Sequence, residues 1–211
     1  MTTPAIARQA EDIRRRLAAL GTADEIDIYD LEYTAWEGSL ARNWGGDGEY
    51  RELVQIGAVR LANRQGYPEI ASFERLALPV FNPVLSDYFT KLTGITNTDL
   101  ASCGEPFAGV IEGFAAFVGT AKIVAANGDD ASCLSENCCW RGVVMPIAAD
   151  LTLNLRPLFM AALDLPREQT VSSDLPQRFG LAMDGAAHTG LADARAVALA
   201  LREMYSRGDL D

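Results

Sequence analysis

The segment IDIYDLEY, residues 26–33, has the alternating pattern of a β-strand but carries apolar side chains on both faces. Ile26 and Ile28 share one face, and Tyr29 and Leu31 share the other. A strand that is apolar on both sides belongs in the middle of a sheet that other elements cover on each face. The segment therefore predicts a central strand of a layered fold rather than an edge strand.

The remaining hydrophobic pattern predicts an α/β fold with a mixed β-sheet and helices on both faces of that sheet. Segments 52–61 and 70–78 follow the first strand at short, turn-bounded spacing, which predicts an antiparallel meander. A short buried strand is predicted at 122–126, and the Gly-rich segment 37–50 is predicted to be a loop. Helical spacing of apolar residues predicts helices at 4–20, 84–93, 106–118, 131–140, 156–163, 174–180 and 190–205.

Composition indicates a folded chain and restricts its partners. The chain has 211 residues, 49% of them hydrophobic, which is enough for one sizeable core. We expect an N-terminal helix segment at 1–24 and one domain at 25–211. The formal net charge is −11. Because binding long duplexes through many phosphate contacts usually requires a basic surface, we expect a short single strand or one nucleic-acid end rather than a long duplex.

The cysteines and the N-terminus indicate a reduced, cytoplasmic protein. The four cysteines show no CxxC spacing and only one histidine is present to join them, so we expect free thiols rather than a zinc site. The first 20 residues contain no apolar signal-peptide core, and no run of 18 apolar residues occurs, so no membrane contact is expected.

Two carboxylates, Asp30 and Glu32, continue the apolar face of Ile26 and Ile28 at the end of the first strand. Residues two apart on a strand point to the same side, so both side chains can converge on one point. Three interpretations compete: the strand ends and both groups reach water, the two form a glycosidase-like acid and nucleophile pair, or they bind a divalent cation.

Other acidic residues lie where they can join this pair. Asp129 and Asp130 follow the strand at 122–126 and open a helix, where an aspartate is often only an N-cap. The single histidine, His188, stands five residues before Asp193 at the start of the last helix. Four carboxylates and one neutral base are the groups that two-metal phosphoryl chemistry requires, with two cations about 3.5–4 Å apart. Together they favour the metal interpretation.

These motifs resemble those of the DEDDh, or DnaQ-like, 3′→5′ exonucleases, which have a ribonuclease H-like fold. The resemblance runs from about residue 25 to 205, through YDLEYTAWEG, NGDDASCLSENC and HTGLADARAVA. Two further stretches also match, LSDYFTKLTGIT at 85–96 and LPQRFGLAMDGAAH before the third motif.

The resemblance implies a role for each of five catalytic residues. Asp30 would bridge two Mg²⁺ or Mn²⁺ ions, Glu32 and Asp193 would complete the tighter site, and Asp130 would support the second ion. His188 would be the general base that activates water. The resemblance also implies contacts to the terminal nucleotide from five residues: Tyr33, Thr34, Trp36, Leu92 and Ile95.

The second and third motifs depart from the usual pattern. The family subtype often has a tryptophan between two aspartates in the second motif, whereas Asp129 and Asp130 are adjacent here. Spacing from Leu134 favours Asp130 as the ligand and leaves Asp129 open. Ala192 stands where a second, non-ligating aspartate is common.

The sequence thus predicts a metal-dependent 3′→5′ exonuclease that hydrolyses short or single-stranded RNA or DNA to nucleoside 5′-monophosphates. The alternatives are a catalytically silent nucleotide- or nucleic-acid-binding module and a proofreading accessory subunit. The expected partner is a single-stranded 3′ end or a short oligonucleotide, and a homodimer is left open.

Overall fold

The computed structural model describes residues 2–182 and 188–210. Its first three strands, β1 (Glu25–Tyr33), β2 (Leu53–Ala62) and β3 (Glu69–Leu76), form an antiparallel meander, as the sequence predicted. β4 (Ile123–Ala126) then pairs with β1 in parallel, and β5 (Thr152–Asn154) pairs with β4 in parallel.

β1 is the middle strand of the resulting mixed sheet, whose order is β3-β2-β1-β4-β5. The central position predicted for this strand and the mixed α/β architecture are both confirmed. β5 was not predicted, because three residues are too few to show a strand pattern.

One face of the sheet packs against α1 (Pro4–Ala18), α6 (Arg156–Leu163), α7 (Leu175–Arg178) and α8 (Gly190–Arg207). Ile26 and Ile28 of β1 lie in this core, and Val197 and Leu201 of α8 pack against it. The other face packs against α4 (Phe107–Val118) and α5 (Asp130–Arg141), with Tyr29 of β1 in the core. Each face of β1 is therefore covered, as its apolar pattern requires.

A third, smaller core lies beneath α2 (Asp87–Thr93) and α3 (Asn97–Cys103). α3 was not predicted, although Thr96 and Asp99 form a capping box at its first turn. Leu100 is its only buried residue, so the sequence lacks the apolar stripe that identifies a helix.

The segment at 37–50 contains turns and no regular element, as expected for its Gly-rich sequence. The indole Nε1 of Trp44 donates a hydrogen bond to the Thr34 carbonyl at 2.7 Å, which ties the loop to the end of β1. Among residues 2–182 and 188–210, no helix is both long enough and apolar enough to span a lipid bilayer.

Candidate active site

Asp30 and Glu32 lie at the C-terminal end of β1, on the face that Ile26 and Ile28 bury. The pairing of β1 with β2 shifts register between Glu32 and Tyr33, so the strand is irregular where its carboxylates emerge. Irregularities of this kind commonly re-aim side chains next to a functional site. Both carboxylates are half-buried.

The first turn of α8 brings Asp193 to these two carboxylates. Thr189 caps the helix by accepting a hydrogen bond from the Ala192 N–H at 3.2 Å. The helix start lies almost against β2, because a Cβ on Gly57 would fall 1.9 Å from the Leu191 nitrogen. Only glycine at this position of β2 allows the approach that seats Asp193, which is 8% exposed, beside the strand end.

Asp30, Glu32 and Asp193 each place one carboxylate oxygen within 4.8 Å of the other two. Ser172 donates a hydrogen bond to Oδ1 of Asp30 at 3.1 Å. Oδ1 of Asp193 is buried and has no hydrogen-bond partner in the part of the chain that the structure describes. A buried, unpartnered carboxylate oxygen is costly unless a cation or a donor satisfies it.

Crowding and burial raise the pKa of every carboxyl group in this cluster. Desolvation, and then the charges of Asp130, Glu32 and Asp193, raise the pKa of Asp30 well above its ordinary value. Desolvation with the charges of Asp193 and Asp130 raises the pKa of Glu32 to about 8. Desolvation also raises the pKa of Asp193 against the lowering effect of His188. The cluster therefore lacks positive charge.

The second motif turns one of its two aspartates toward the cluster. The phenol of Tyr33 donates a hydrogen bond to Oδ1 of Asp130 at 3.2 Å, and Asp130 acts electrostatically on Asp30 and Glu32. Asp130 is not part of the group formed by Asp30, Glu32 and Asp193, whose carboxylate oxygens lie within 4.8 Å of one another. Asp129 is 60% exposed and pairs with Arg167 at 3.0 Å. The geometry therefore favours Asp130 over Asp129 as the residue that joins the site.

His188 is exposed and immediately precedes the cap of α8. Its backbone is in the left-handed region, with φ of +73°, and its charge lowers the pKa of the nearby Asp193 carboxyl group. Part of the predicted lead into this motif, residues 183–187, lies outside the described residues.

The residues predicted to contact the substrate fall into two groups. Tyr33 and Trp36 are half-buried, and Leu92 is 42% exposed on α2. Thr34 is buried, and its hydroxyl both donates to the Tyr50 carbonyl and accepts from the Glu52 N–H. Ile95 is packed inside the third core. Contacts from Thr34 or Ile95 to a substrate would therefore have to use backbone atoms.

Sequence reasoning missed two residues that support the site. Ser172 is hydrogen-bonded to Asp30 and also accepts from the Asn127 amide at 3.3 Å. Arg156 donates to the Asn127 carbonyl and acts electrostatically on Asp130. Both contacts join distant parts of the chain, so local spacing carries no signal for them.

The cluster suits hard divalent cations. Its donors are carboxylate oxygens, which Mg²⁺ and Mn²⁺ prefer. The unpartnered Oδ1 of Asp193 and the raised pKa values of the three carboxyl groups are what a cation would relieve. The residues present therefore fit the metals that the motifs imply.

Comparison with known proteins identifies the family of this chain. The model of the exonuclease family RNase_T matches residues 28–201, well over half of the chain. The 3′-5′ exonuclease Snipper of Drosophila melanogaster is 25% identical over 202 residues, which cover 86% of this chain and 69% of Snipper. The 3′-5′ exoribonuclease 1 of Mus musculus is 25% identical over 194 residues, and the match covers 88% of this chain. This chain spans only 54% of the mouse protein.

A solved structure shares the fold over almost its whole length. The nuclease domain of 3′hExo, a DEDDh family member bound to rAMP, superposes with a TM-score of 0.75. The match covers 90% of this chain and 96% of that domain, at 24% sequence identity. The chain thus belongs to the RNase_T exonuclease family and has the ribonuclease H-like α/β fold of the 3′hExo nuclease domain.

Proposed function

We propose that this protein hydrolyses the last phosphodiester at the 3′ end of short or single-stranded RNA or DNA, with release of a nucleoside 5′-monophosphate. The observation that carries the proposal is the convergence of Asp30, Glu32 and Asp193 within 4.8 Å, with one buried oxygen of Asp193 unpartnered among the described residues. Such a cluster is costly unless protons or cations neutralise its charge.

Asp30, Glu32 and Asp193 are the proposed ligands of the tighter cation site, with Asp30 shared by a second cation that Asp130 supports. Bound Mg²⁺ or Mn²⁺ would hold the scissile phosphate and stabilise charge on the attacking and leaving oxygens. Tyr33 keeps Asp130 in place through its 3.2 Å hydrogen bond. Ser172 does the same for Asp30 at 3.1 Å.

His188 is the proposed general base. An imidazole has an unperturbed pKa of about 6.5, so it can accept a proton from the attacking water near neutral pH. The exposed position of His188 at the start of α8 leaves its ring accessible to solvent and substrate. Its charge lowers the pKa of Asp193, as expected of a group beside the carboxylate cluster.

The proposed substrate is a strand end rather than a duplex. The net charge of −11 opposes a long duplex footprint, whereas one end requires positive charge only locally. The proposed contacts to the terminal nucleotide are those expected from the family resemblance: Tyr33, Thr34, Trp36, Leu92 and Ile95.

The test uses 5′-labelled single-stranded RNA and DNA with Mg²⁺, Mn²⁺ or EDTA, with Asp30→Asn as control. We expect a metal-dependent ladder that shortens from the 3′ end and is absent in the variant. If neither polymer is shortened in either metal, the proposed function is wrong.

A further inference from the structure

An open cleft of about 640 Å³ borders the second motif. We call it the arginine cleft, and the residues that define it are Tyr33, Trp44, Arg51, Asp130, Arg156 and Arg167. Its volume falls in the range of sites that take small organic ligands. Asp129, Asp130 and Glu168 also line the cleft, whereas the carboxylates Asp30, Glu32 and Asp193 do not. The cleft is therefore adjacent to the carboxylate cluster but separate from it.

Three guanidinium groups line this cleft in a chain that has 29 acidic and only 18 basic residues. Arg51 lies 5.2 Å from the ring centroid of Trp44 and pairs with Glu136 at 3.2 Å. Arg167 is 58% exposed, and its 3.0 Å pair with Asp129 is also exposed. Exposed ion pairs contribute little to stability, so this guanidinium can exchange its partner for a ligand at small cost.

Arg156 provides a second, independent indication of an anionic ligand. Its Nε is buried and has no hydrogen-bond partner within residues 2–182 and 188–210. Burial, and then repulsion by Arg167, lower the pKa of its guanidinium, and the nearby carboxylates Asp130 and Asp129 oppose this effect. If cations bind Asp130, its negative charge no longer offsets the positive charges of Arg156 and Arg167. An anion between the two guanidinium groups would do so instead.

The chemistry of the reaction identifies which anion this is. In 3′→5′ hydrolysis the departing nucleotide carries a single phosphate, the scissile one, which belongs at the carboxylate cluster. A phosphate site beside that cluster must therefore serve the remaining strand. We propose that Arg156 and Arg167 bind the phosphodiester immediately 5′ to the one that is cleaved. Leu40, 81% exposed at the rim of the cleft, offers an apolar surface to the nucleoside of that unit. This inference rests on the proposed function.

The test places one neutral methylphosphonate linkage in an otherwise normal 5′-labelled oligonucleotide. The sugar is the type that the enzyme degrades, with a deoxynucleotide on the 5′ side of the modified linkage. One strand has the neutral linkage second from the 3′ end, and the control strand has it fifth. Removal of the first nucleotide is followed in a single turnover. We expect the second-linkage strand to react about tenfold more slowly with the wild-type enzyme, because one charge-assisted contact is lost.

Arg167→Ala tests whether the cleft is responsible. The variant should cleave the unmodified strand about tenfold more slowly, and neutralising the second linkage should slow it less than twofold further. Arg156→Lys should likewise be slowed less than the wild-type enzyme when the second linkage is neutral, since a lysine cannot reproduce the guanidinium geometry. The matched control is Arg15→Ala, an exposed arginine on α1 paired with Asp12 at 2.6 Å, which should behave as wild type.

Two outcomes would overturn the inference while the proposed function stands. In one, the wild-type enzyme removes the first nucleotide equally fast whether the second or the fifth linkage is neutral. In the other, Arg167→Ala keeps the full tenfold sensitivity. Failure to shorten the unmodified strand in any metal would instead refute the proposed function.

Discussion

β1 carries two aspartates whose pKa values are both raised by burial but whose neighbours carry opposite charge, and neutralising each one should change stability with opposite sign. Asp27 is fully buried and is paired with Arg60, whose Nε and Nη2 donate to its two oxygens at 2.8 Å. Asp30 faces two other carboxylates, from Glu32 and Asp193, within 4.8 Å. We therefore expect Asp30→Asn to stabilise the metal-free protein and Asp27→Asn to destabilise it.

The size of the Asp30→Asn effect follows from Coulomb's law. Two unit charges at the 4.8 Å limit repel by ~3.5 kcal/mol at an effective dielectric constant of 20, and by ~0.9 kcal/mol in bulk water. The site is half-buried, and proton uptake relieves part of the repulsion. We expect a gain of about 2–3 kcal/mol in the free energy of unfolding when all three groups are ionised, or about 4–12 °C in Tm.

The effect should depend on pH. Burial and the charges of Asp193 and Asp130 raise the pKa of Glu32 to about 8 in the folded protein, above its ordinary value of 4.5. Because the folded state holds this proton more tightly, the stability it contributes is present below pH 4.5 and is lost as pH rises through about 8. Burial, and then the charges of Asp130, Glu32 and Asp193, raise the pKa of Asp30 as well, so its ionisation lowers the stability of the folded protein in the same way and Asp30→Asn removes that loss. The gain from Asp30→Asn should therefore be larger at pH 9 than at pH 6.

The assay is thermal unfolding in EDTA at pH 6 and pH 9, repeated with saturating Mn²⁺. In Mn²⁺ the wild-type protein should instead be more stable than Asp30→Asn, because it gains stability from binding the ion and the variant has lost a ligand. Asp27→Asn should cost about 1–3 kcal/mol at both pH values, since Glu25, at 3.1 Å, is then the one carboxylate paired with Arg60 among the described residues. The reasoning is refuted if Asp30→Asn destabilises the metal-free protein at pH 9 as Asp27→Asn does.

Three other substitutions separate packing, ligand support and chemistry. Gly57→Ala should lower the free energy of unfolding by about 3 kcal/mol or more in urea, because its Cβ would meet the Leu191 nitrogen at 1.9 Å; an unchanged midpoint would contradict that packing. Tyr33→Phe should weaken Mn²⁺ activation of turnover about 10–100-fold, since Asp130 loses its 3.2 Å hydrogen bond; unchanged Mn²⁺ dependence would remove Tyr33 from that role. His188→Ala should lower kcat about 10²–10⁴-fold with Mn²⁺ affinity kept; an unchanged kcat would exclude His188 as the base.

The central strand and the long helices were predictable from local pattern. β1 was expected at 26–33 and spans Glu25–Tyr33, because its two apolar faces have one stable location in a layered fold. The helix expected at 190–205 spans Gly190–Arg207, since its apolar stripe and its cap are both encoded locally.

The short elements were not predictable for a different reason. β5, at Thr152–Asn154, exists because it pairs with β4, and such pairing depends on residues far away in the chain. α3, at Asn97–Cys103, buries only Leu100, so no apolar period marks it.

The residues of the candidate site also differ in whether the local sequence could reveal them. Asp30 and Glu32 could be found from the sequence, because carboxylates on an apolar strand face break a local rule. The distinction between Asp129 and Asp130 required the position of Tyr33, which lies 97 residues before Asp130. Ser172 reaches Asp30 across 142 residues, and nothing in its neighbourhood signals that contact.

The most direct test of the metal site is to count bound Mn²⁺ by electron paramagnetic resonance in the presence of a nucleoside 5′-monophosphate. The protein and its Asp30→Asn and Asp193→Asn variants would be compared at the same free Mn²⁺ concentration. Two ions per chain in the wild-type protein, with at least one lost in each variant, is the expected result. If the wild-type protein binds fewer than one ion per chain, or if both variants bind as many as wild type, these carboxylates do not form the metal centre.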